Sequence, residues 1–359
     1  HSANARMLTV SATNTGTSFV QSYEYIPYQA GKSQLIFITG VLGAAVVNTV
    51  TEVGSFDSAN GLFIRQASDG TISAVRRTST SGGVVDNVIP QSTWNVDKLD
   101  GTGTSGITLD VTKAFILVID AQFLAMGRVR FGFDIGGQII ICHESLHANV
   151  LAVPYMQTLS LPVQMLLTST GGSKNTARFK CASVSSEGGF ADDIGYDFST
   201  PELTVTAASG ARTVLSGLRP ALTFNSKTNR QRVRVTSVAI FNNSGTPIFW
   251  ELLLGVTYSG TPTWTAVNST YSGAEYTSAM ATSSAIAAFS GGLPIAIASG
   301  YIATNASVRT AVSKTISSRY PLTLDRAGAQ RGLGTLTLVA SGIGGTAACR
   351  ASINYTEVR

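Results

Sequence analysis

The sequence predicts an all-β protein of two β-sandwich, jelly-roll-like lobes, mostly antiparallel, with a short N-terminal arm. Three observations predict it. Charged residues make up only 13% of the 359, against about 25% in ordinary soluble domains, and 36 glycines exceed the usual share of about 7%. Short runs rich in Val, Ile, Thr and Phe recur along the chain, punctuated by Gly, Asn, Asp and Ser, which suits strands and tight turns. No amphipathic helical period of normal length interrupts them.

Residues 1–20 are small and polar and read as an arm or linker. The first lobe, 21–190, begins with strand-like YEYIPY, SQLIFITGVL, GLFIRQ and ISAVRR. LDVTKAF suggests one short turn, and FILVIDAQF, almost continuously apolar, suits the middle of a sheet. GRVRFGFDI alternates cleanly: Val129, Phe131, Phe133 and Ile135 face one way, and Arg128, Arg130, Gly132 and Asp134 the other. Gly136-Gly137 then turns the chain into QIIICHE, a hairpin signal. VQMLLTST and ARFKCASVS complete the lobe, with Phe131, Phe133, Ile116, Val118 and Ile119 as its expected core. The acidic, glycine-rich SEGGFADDIGYDFST marks the boundary.

The second lobe, 191–359, carries RTVLSGL, ALTFN, RVRVTSVAIFN, PIFWELLLGVTY, TPTWTAV, EYTSAM, PIAIASGYIA, GTLTLVAS and ACRASINYTEV. Trp250 is expected in its core. Arg230, Arg232 and Arg234 form a basic stripe of the kind that protects an edge strand, with an acidic partner as the alternative.

Composition excludes several functions. The net charge of +5 contains no block of basic residues, so nucleic acid is not a partner. Cys142, Cys181 and Cys349 are far apart and form neither a disulfide framework nor a C-x-x-C knuckle. Residues 276–308 carry no charge, but Ser283-Ser284, Gly291-Gly292 and Pro294 break the run, so no membrane insertion is expected.

Two motifs invite catalytic readings. His143-Glu144-Ser145-Leu146-His147 spells H-E-x-x-H, in which a helix would bring two imidazoles to one zinc with the Glu as general base. Here the motif ends a predicted strand, where the two histidines would lie about 13 Å apart at roughly 3.3 Å per residue. The only other histidine is His1; Glu187 is the candidate third ligand. Gly101-Thr102-Gly103-Thr104-Ser105-Gly106 is a formal G-x-G-x-x-G, yet no strand precedes it and no helix follows. Gly31-Lys32-Ser33 lacks the first glycine of a P-loop, with Ile26 in its place, and reads as a turn. Cys142, next to His143, would point to the opposite face of a strand. Asp97, Asp100, Asp192 and Asp193 are most simply turn residues. Trp94, Trp264, Tyr258 and Tyr271 are the aromatics that, if exposed, could contact sugars.

Residues 91–149 resemble a family of tailed-bacteriophage virion structural proteins. WNVDKLDGTGTSGITLDVTKA, ILVIDAQFLAMGRVRFGF and CHESLHAN carry the likeness, with YQAGKSQLIFITGVL and ISAVRR upstream. It continues more weakly through SVSSEGGF, RPALTFNSKTN, YPLTLD and INYTEVR. Where relatives tend to have a Trp-Leu-Gly segment, this chain has AQFLAMGRVR. The resemblance implies a tail, fibre or particle-surface component and no catalytic residues.

The expected function is therefore a non-enzymatic structural component of a virion, assembled in the host cytoplasm with itself and with other particle proteins. A trimer is expected if the arrangement is fibre-like. No catalytic, cofactor-binding or metal-binding residues are assigned, and no cofactor. The alternative is a receptor module for host-surface glycan; the remote alternative is a zinc hydrolase through His143-Glu144-Ser145-Leu146-His147.

Overall fold

A computed structural model describes residues 5–22, 24–29, 31–123, 126–188, 195–256, 258, 262–277, 294–303, 310–316, 321–325 and 327–358. The protein is all-β. Among the described residues the only helical element is a 3-10 turn at Gln91–Thr93, and every pairing between strands is antiparallel. Among the described residues no helix is long and apolar enough to cross a membrane. The chain divides into two compact units, His1–Ala191 and Asp192–Arg359.

The first unit contains β1 (Arg6–Val10), β2 (Gly16–Gln21), β3 (Gln34–Val41), β4 (Thr49–Phe56), β5 (Gly61–Gln66), β6 (Ile72–Thr78), β7 (Val85–Pro90), β8 (Phe115–Ala121), β9 (Val129–Ile135), β10 (Gln138–Ser145), β11 (Val163–Ser169) and β12 (Asn175–Ser186). They form two six-stranded sheets, β1-β12-β3-β8-β9-β10 and β2-β11-β4-β5-β6-β7. Both contribute alternate residues to one core, among them Ile36, Ile38, Leu117, Ile119, Phe131 and Phe133 from the first sheet and Val53, Leu62, Ile64, Met165 and Leu167 from the second. This is the period-2 burial that holds a sandwich together.

Several expectations need correction. The described part of the expected arm or linker, residues 5–20, is built into the sandwich: β1 pairs with β12 and β2 with β11, and Leu8 and Val10 lie in the core. YEYIPY is not a strand; Ile26 makes only an isolated bridge to Leu161. Ile116 is only half-buried, because Phe115, Leu117 and Ile119 take the core side of β8. Val118 is buried, but outside that core cluster. The alternation in β9 is as expected, and Gly136 and Gly137, at φ 65° and 81°, turn it into β10.

The second unit contains β13 (Gly195–Ser199), β14 (Leu203–Ala207), β15 (Thr213–Pro220), β16 (Thr223–Phe224), β17 (Lys227–Thr228), β18 (Arg232–Asn242), β19 (Ile248–Leu254), β20 (Thr265–Ala266), β21 (Ala274–Thr277), β22 (Ile295–Ile302), β23 (Thr310–Thr315), β24 (Leu336–Gly342) and β25 (Ala347–Val358). One sheet runs β13-β25-β18-β23, with β14 also on β25; the other runs β20-β21-β15-β24-β19-β22. Trp250 is buried in the core between them, as expected. The basic stripe does not mark an edge strand. β18 pairs with β25 along its whole length and with β23 from Ser237 onward, and Val233 bridges Leu322. Its arginines alternate with the buried Val233 and Val235, and Arg230 donates to the Asp325 carbonyl at 2.7 Å. Asp192 and Asp193 lie outside the described residues.

Candidate functional site

The two catalytic-looking motifs turn out to be one structural unit. β10 is an edge strand, bulged at Cys142. The stretch before the glycine loop runs beside it: Asn95 donates to the Glu144 carbonyl and accepts from the Glu144 amide, both at 2.9 Å. The amides of Val96 and Asp97 donate to the Cys142 carbonyl at 3.2 and 3.1 Å. The bulge places Cys142 and His143 both in buried positions, where a regular strand would have sent them to opposite faces. Burial pushes the Cys142 thiol far up, so no thiolate forms there at neutral pH.

Asp97 organises the glycine loop. Its carboxylate, almost fully buried, accepts from the amides of Leu99 and Ser105 at 2.8 Å each. Burial alone would raise its pKa, but these amides outweigh it and hold the carboxyl below the usual 3.8. Gly103 lies against this carboxylate: a Cβ there would sit 2.1 Å from Asp97 Oδ1. Gly101 and Gly106 adopt φ of 87° and 67°. The glycines thus serve a carboxylate-centred turn, and no helix N-terminus follows to receive a pyrophosphate.

His147 lies beyond the end of β10. It donates from Nδ1 to the Gly127 carbonyl at 2.6 Å, accepts at Nε2 from Arg76 at 2.5 Å, and stacks on Tyr155 at 4.2 Å. Both ring nitrogens are therefore engaged by the protein itself. His143 shares a hydrogen bond with Ser145 Oγ at 3.2 Å, while its Nδ1 is buried without a partner. Among the described residues no three His, Cys, Asp or Glu side chains gather to hold a metal. The H-E-x-x-H reading thus fails on geometry, since the helix that would align it is a strand end.

Burial pushes the pKa of both histidines below 6.5; at His147 the Gly127 bond opposes this and Arg76 adds to it, and at His143 Glu144 opposes it. A depressed imidazole is neutral in the fold but protonates in the unfolded chain. Its stabilising contribution is therefore present above pH 6.5 and is lost as pH falls toward the folded-state pKa. Thermal melts from pH 8 to 5 should show the midpoint falling with acid, with a shallower slope for His147→Phe; identical slopes would contradict this account.

The sugar-contact candidates diverge. Trp94 is buried at 3% exposure and donates Nε1 to the Ile89 carbonyl, so it is structural. Trp264 and Tyr258 are half-buried and meet edge to face, and the Arg219 guanidinium lies 4.0 Å from the Trp264 ring centroid, already occupying that face. Tyr271 is exposed.

Sequence reasoning missed a groove of about 670 Å³ in the first unit, lined by Phe56, Asp57, Ser58, Arg77, Val84, Asp86, Gln164 and Leu166. It lies on the face of the second sheet turned away from the core, because Phe56, Phe63, Val75 and Leu166 alternate with the core residues of their strands and form a cluster of their own. Phe56 sits opposite Gly61 and Phe63 opposite Gly54, so each ring lies over a cross-strand glycine. Charges alternate across this face. Arg65 donates to Glu52 at 2.8 Å and to Asp86 at 2.5 Å, while Arg77 donates to Asp86 at 2.7 and 3.0 Å and to the Asp57 carbonyl at 3.1 Å. A signal existed in the Glu52, Arg65, Arg77 and Asp86 strand positions, but only the register brings them together.

No family model matches the chain, and no curated protein matches it. Among solved structures it is similar to one described under "Prominent members of the human gut microbiota express endo-acting O-glycanases to initiate mucin breakdown", at 13% identity and TM-score 0.34 over 51% of this chain and 80% of that one. A carbohydrate binding module from Bacillus subtilis is 15% identical, with TM-score 0.25 over 50% of this chain and 94% of that one. A module of the evolved Dit of Lactobacillus casei BL23 phage J-1 is 8% identical, with TM-score 0.26 over 48% and 74%. At such identities and scores the functional reading draws nothing from them.

Proposed function

We propose that this chain is a non-enzymatic structural component of a tailed-phage virion, assembling with itself and with other particle proteins. The resemblance of residues 91–149 motivates the particle, and one observation carries the assembly. β22, IAIASGYI, ends its sheet; it contains no charge and no proline, and Ile295, Ile297 and Tyr301 are exposed. Edge strands in monomeric proteins are usually blunted by lysine, proline or bulges. Here a bulge at Ile297 is the one such device among the paired positions. A second copy adding its own uncharged strand meets no like-charge repulsion, so the occupant is this chain itself. Pairing of this edge with its own copy is two-fold and closes as a dimer; the trimer expected for a fibre-like arrangement would add a second, heterologous surface.

Light scattering on size-exclusion fractions should give a multimeric mass for the wild type and a monomeric one for the Ile297→Lys/Tyr301→Lys double variant. A wild-type monomer at high concentration, together with absence of the protein from purified particles by mass spectrometry, would sink the proposal.

A second reading, attachment to host-surface glycan, is favoured by the groove of the first unit. It joins polar side chains fixed by ion pairs to an apolar wall of Val84 and Leu166, the mixed lining typical of small-ligand sites.

A further inference from the structure

We infer that the groove of the first unit binds a neutral, hydroxyl-rich saccharide rather than an anionic one; this rests on the glycan-attachment reading and specifies its site and ligand class. The volume, about 670 Å³, falls within the range of about 300–1,000 Å³ that small-molecule pockets span.

The ligand class follows from which polar groups are already committed. Arg77 directs three N–H bonds to Asp86 and the Asp57 carbonyl, and Arg65 spans Glu52 and Asp86. An anionic ligand would have to displace these carboxylates from their guanidinium partners, breaking a half-buried ion-pair chain to gain one contact.

Hydroxyl donors and acceptors face no such conflict. Asp57 Oδ1 accepts from the amides of Ala59 and Asn60, while its Oδ2 takes no hydrogen bond among the described residues. The Ser58 hydroxyl is likewise without a partner and exposed. Val84, 56% exposed, and Leu166 line the same groove and offer an apolar surface to the C–H face of a sugar ring. The ion pairs fix Arg77 and Asp86 before a ligand arrives, which limits the ordering cost of binding.

The test is a glycan array of neutral, sialylated and sulfated oligosaccharides probed with the full chain. Val84→Trp and, separately, Ser58→Trp would fill the groove from exposed positions in its lining, with Trp264→Ala as a control in the other unit. The expected result is binding to neutral saccharides, weakened about tenfold or more by either groove variant and unchanged by the control. Thermal melts establish that the variants fold. Binding confined to anionic glycans overturns the ligand class. Neutral binding that survives both groove variants, or that Trp264→Ala abolishes, overturns the site and leaves glycan attachment standing. A blank array overturns both.

Discussion

Truncating His147 to alanine is expected to destabilise the first unit by about 4 kcal/mol, summing lost hydrogen bonds to partly buried groups with a cavity beside Tyr155. The imidazole is the acceptor for Arg76 and the donor to the Gly127 carbonyl, and its ring covers Tyr155. Arg76 already has a buried Nε without a partner, so it has little capacity to absorb the loss. Urea unfolding followed by fluorescence should show the midpoint fall with the slope unchanged. Glu144→Gln is the informative contrast. Glu144 is only partly buried and its carboxylate forms an ion pair with Arg128 at 3.4 Å, so the change should stay within about 1 kcal/mol. A zinc enzyme would invert this ranking: Glu144 would decide activity, and the purified protein would carry stoichiometric zinc. A loss at His147→Ala below about 1 kcal/mol would refute the clamp described for this residue.

The second large effect is expected at Gly103. An alanine Cβ would stand 2.1, 2.4 and 2.7 Å from Asp97 Oδ1, Cγ and Oδ2. A free side chain would swing aside, but this carboxylate is tied to two amides, so relief breaks charge-assisted hydrogen bonds at a combined cost of about 3 kcal/mol. The variant should also change the response to acid. Because the Asp97 pKa is held below 3.8 in the fold, its contribution is present above that value and is lost as pH falls through the folded-state pKa. The gap between Gly103→Ala and wild type should therefore narrow in strong acid. A constant gap would mean that Asp97 is not the group being disturbed.

Local pattern made much of the first unit legible. β9 and its hairpin could be read because one face is buried and a one-residue slip would expose Phe131 and Phe133. β1 and β2 could not, because their sequences RMLTV and GTSFVQ are mostly exposed and owe their order to β12 and β11, far along the chain. The basic stripe misled for a related reason. Arg232 and Arg234 look like edge protection, but strand neighbours are a property of topology, and β25 arrives from the C-terminus. Trp94 looked available for sugar contact until its indole was seen bonded to Ile89. The groove could not be located from local pattern, since its residues come from four strands and two turns between Phe56 and Leu166 that only the register brings together.

The stretch from Asn95 to Asp97 has one more consequence, for behaviour in a crowded cell. By taking up backbone groups of Cys142 and Glu144, it leaves the C-terminal half of β10 without a free hydrogen-bonding margin there. Copies of the chain at high concentration find no open backbone there on which to template cross-β growth. The strand end that looked most like an enzyme is thus shielded from edge-to-edge aggregation by the stretch beside it.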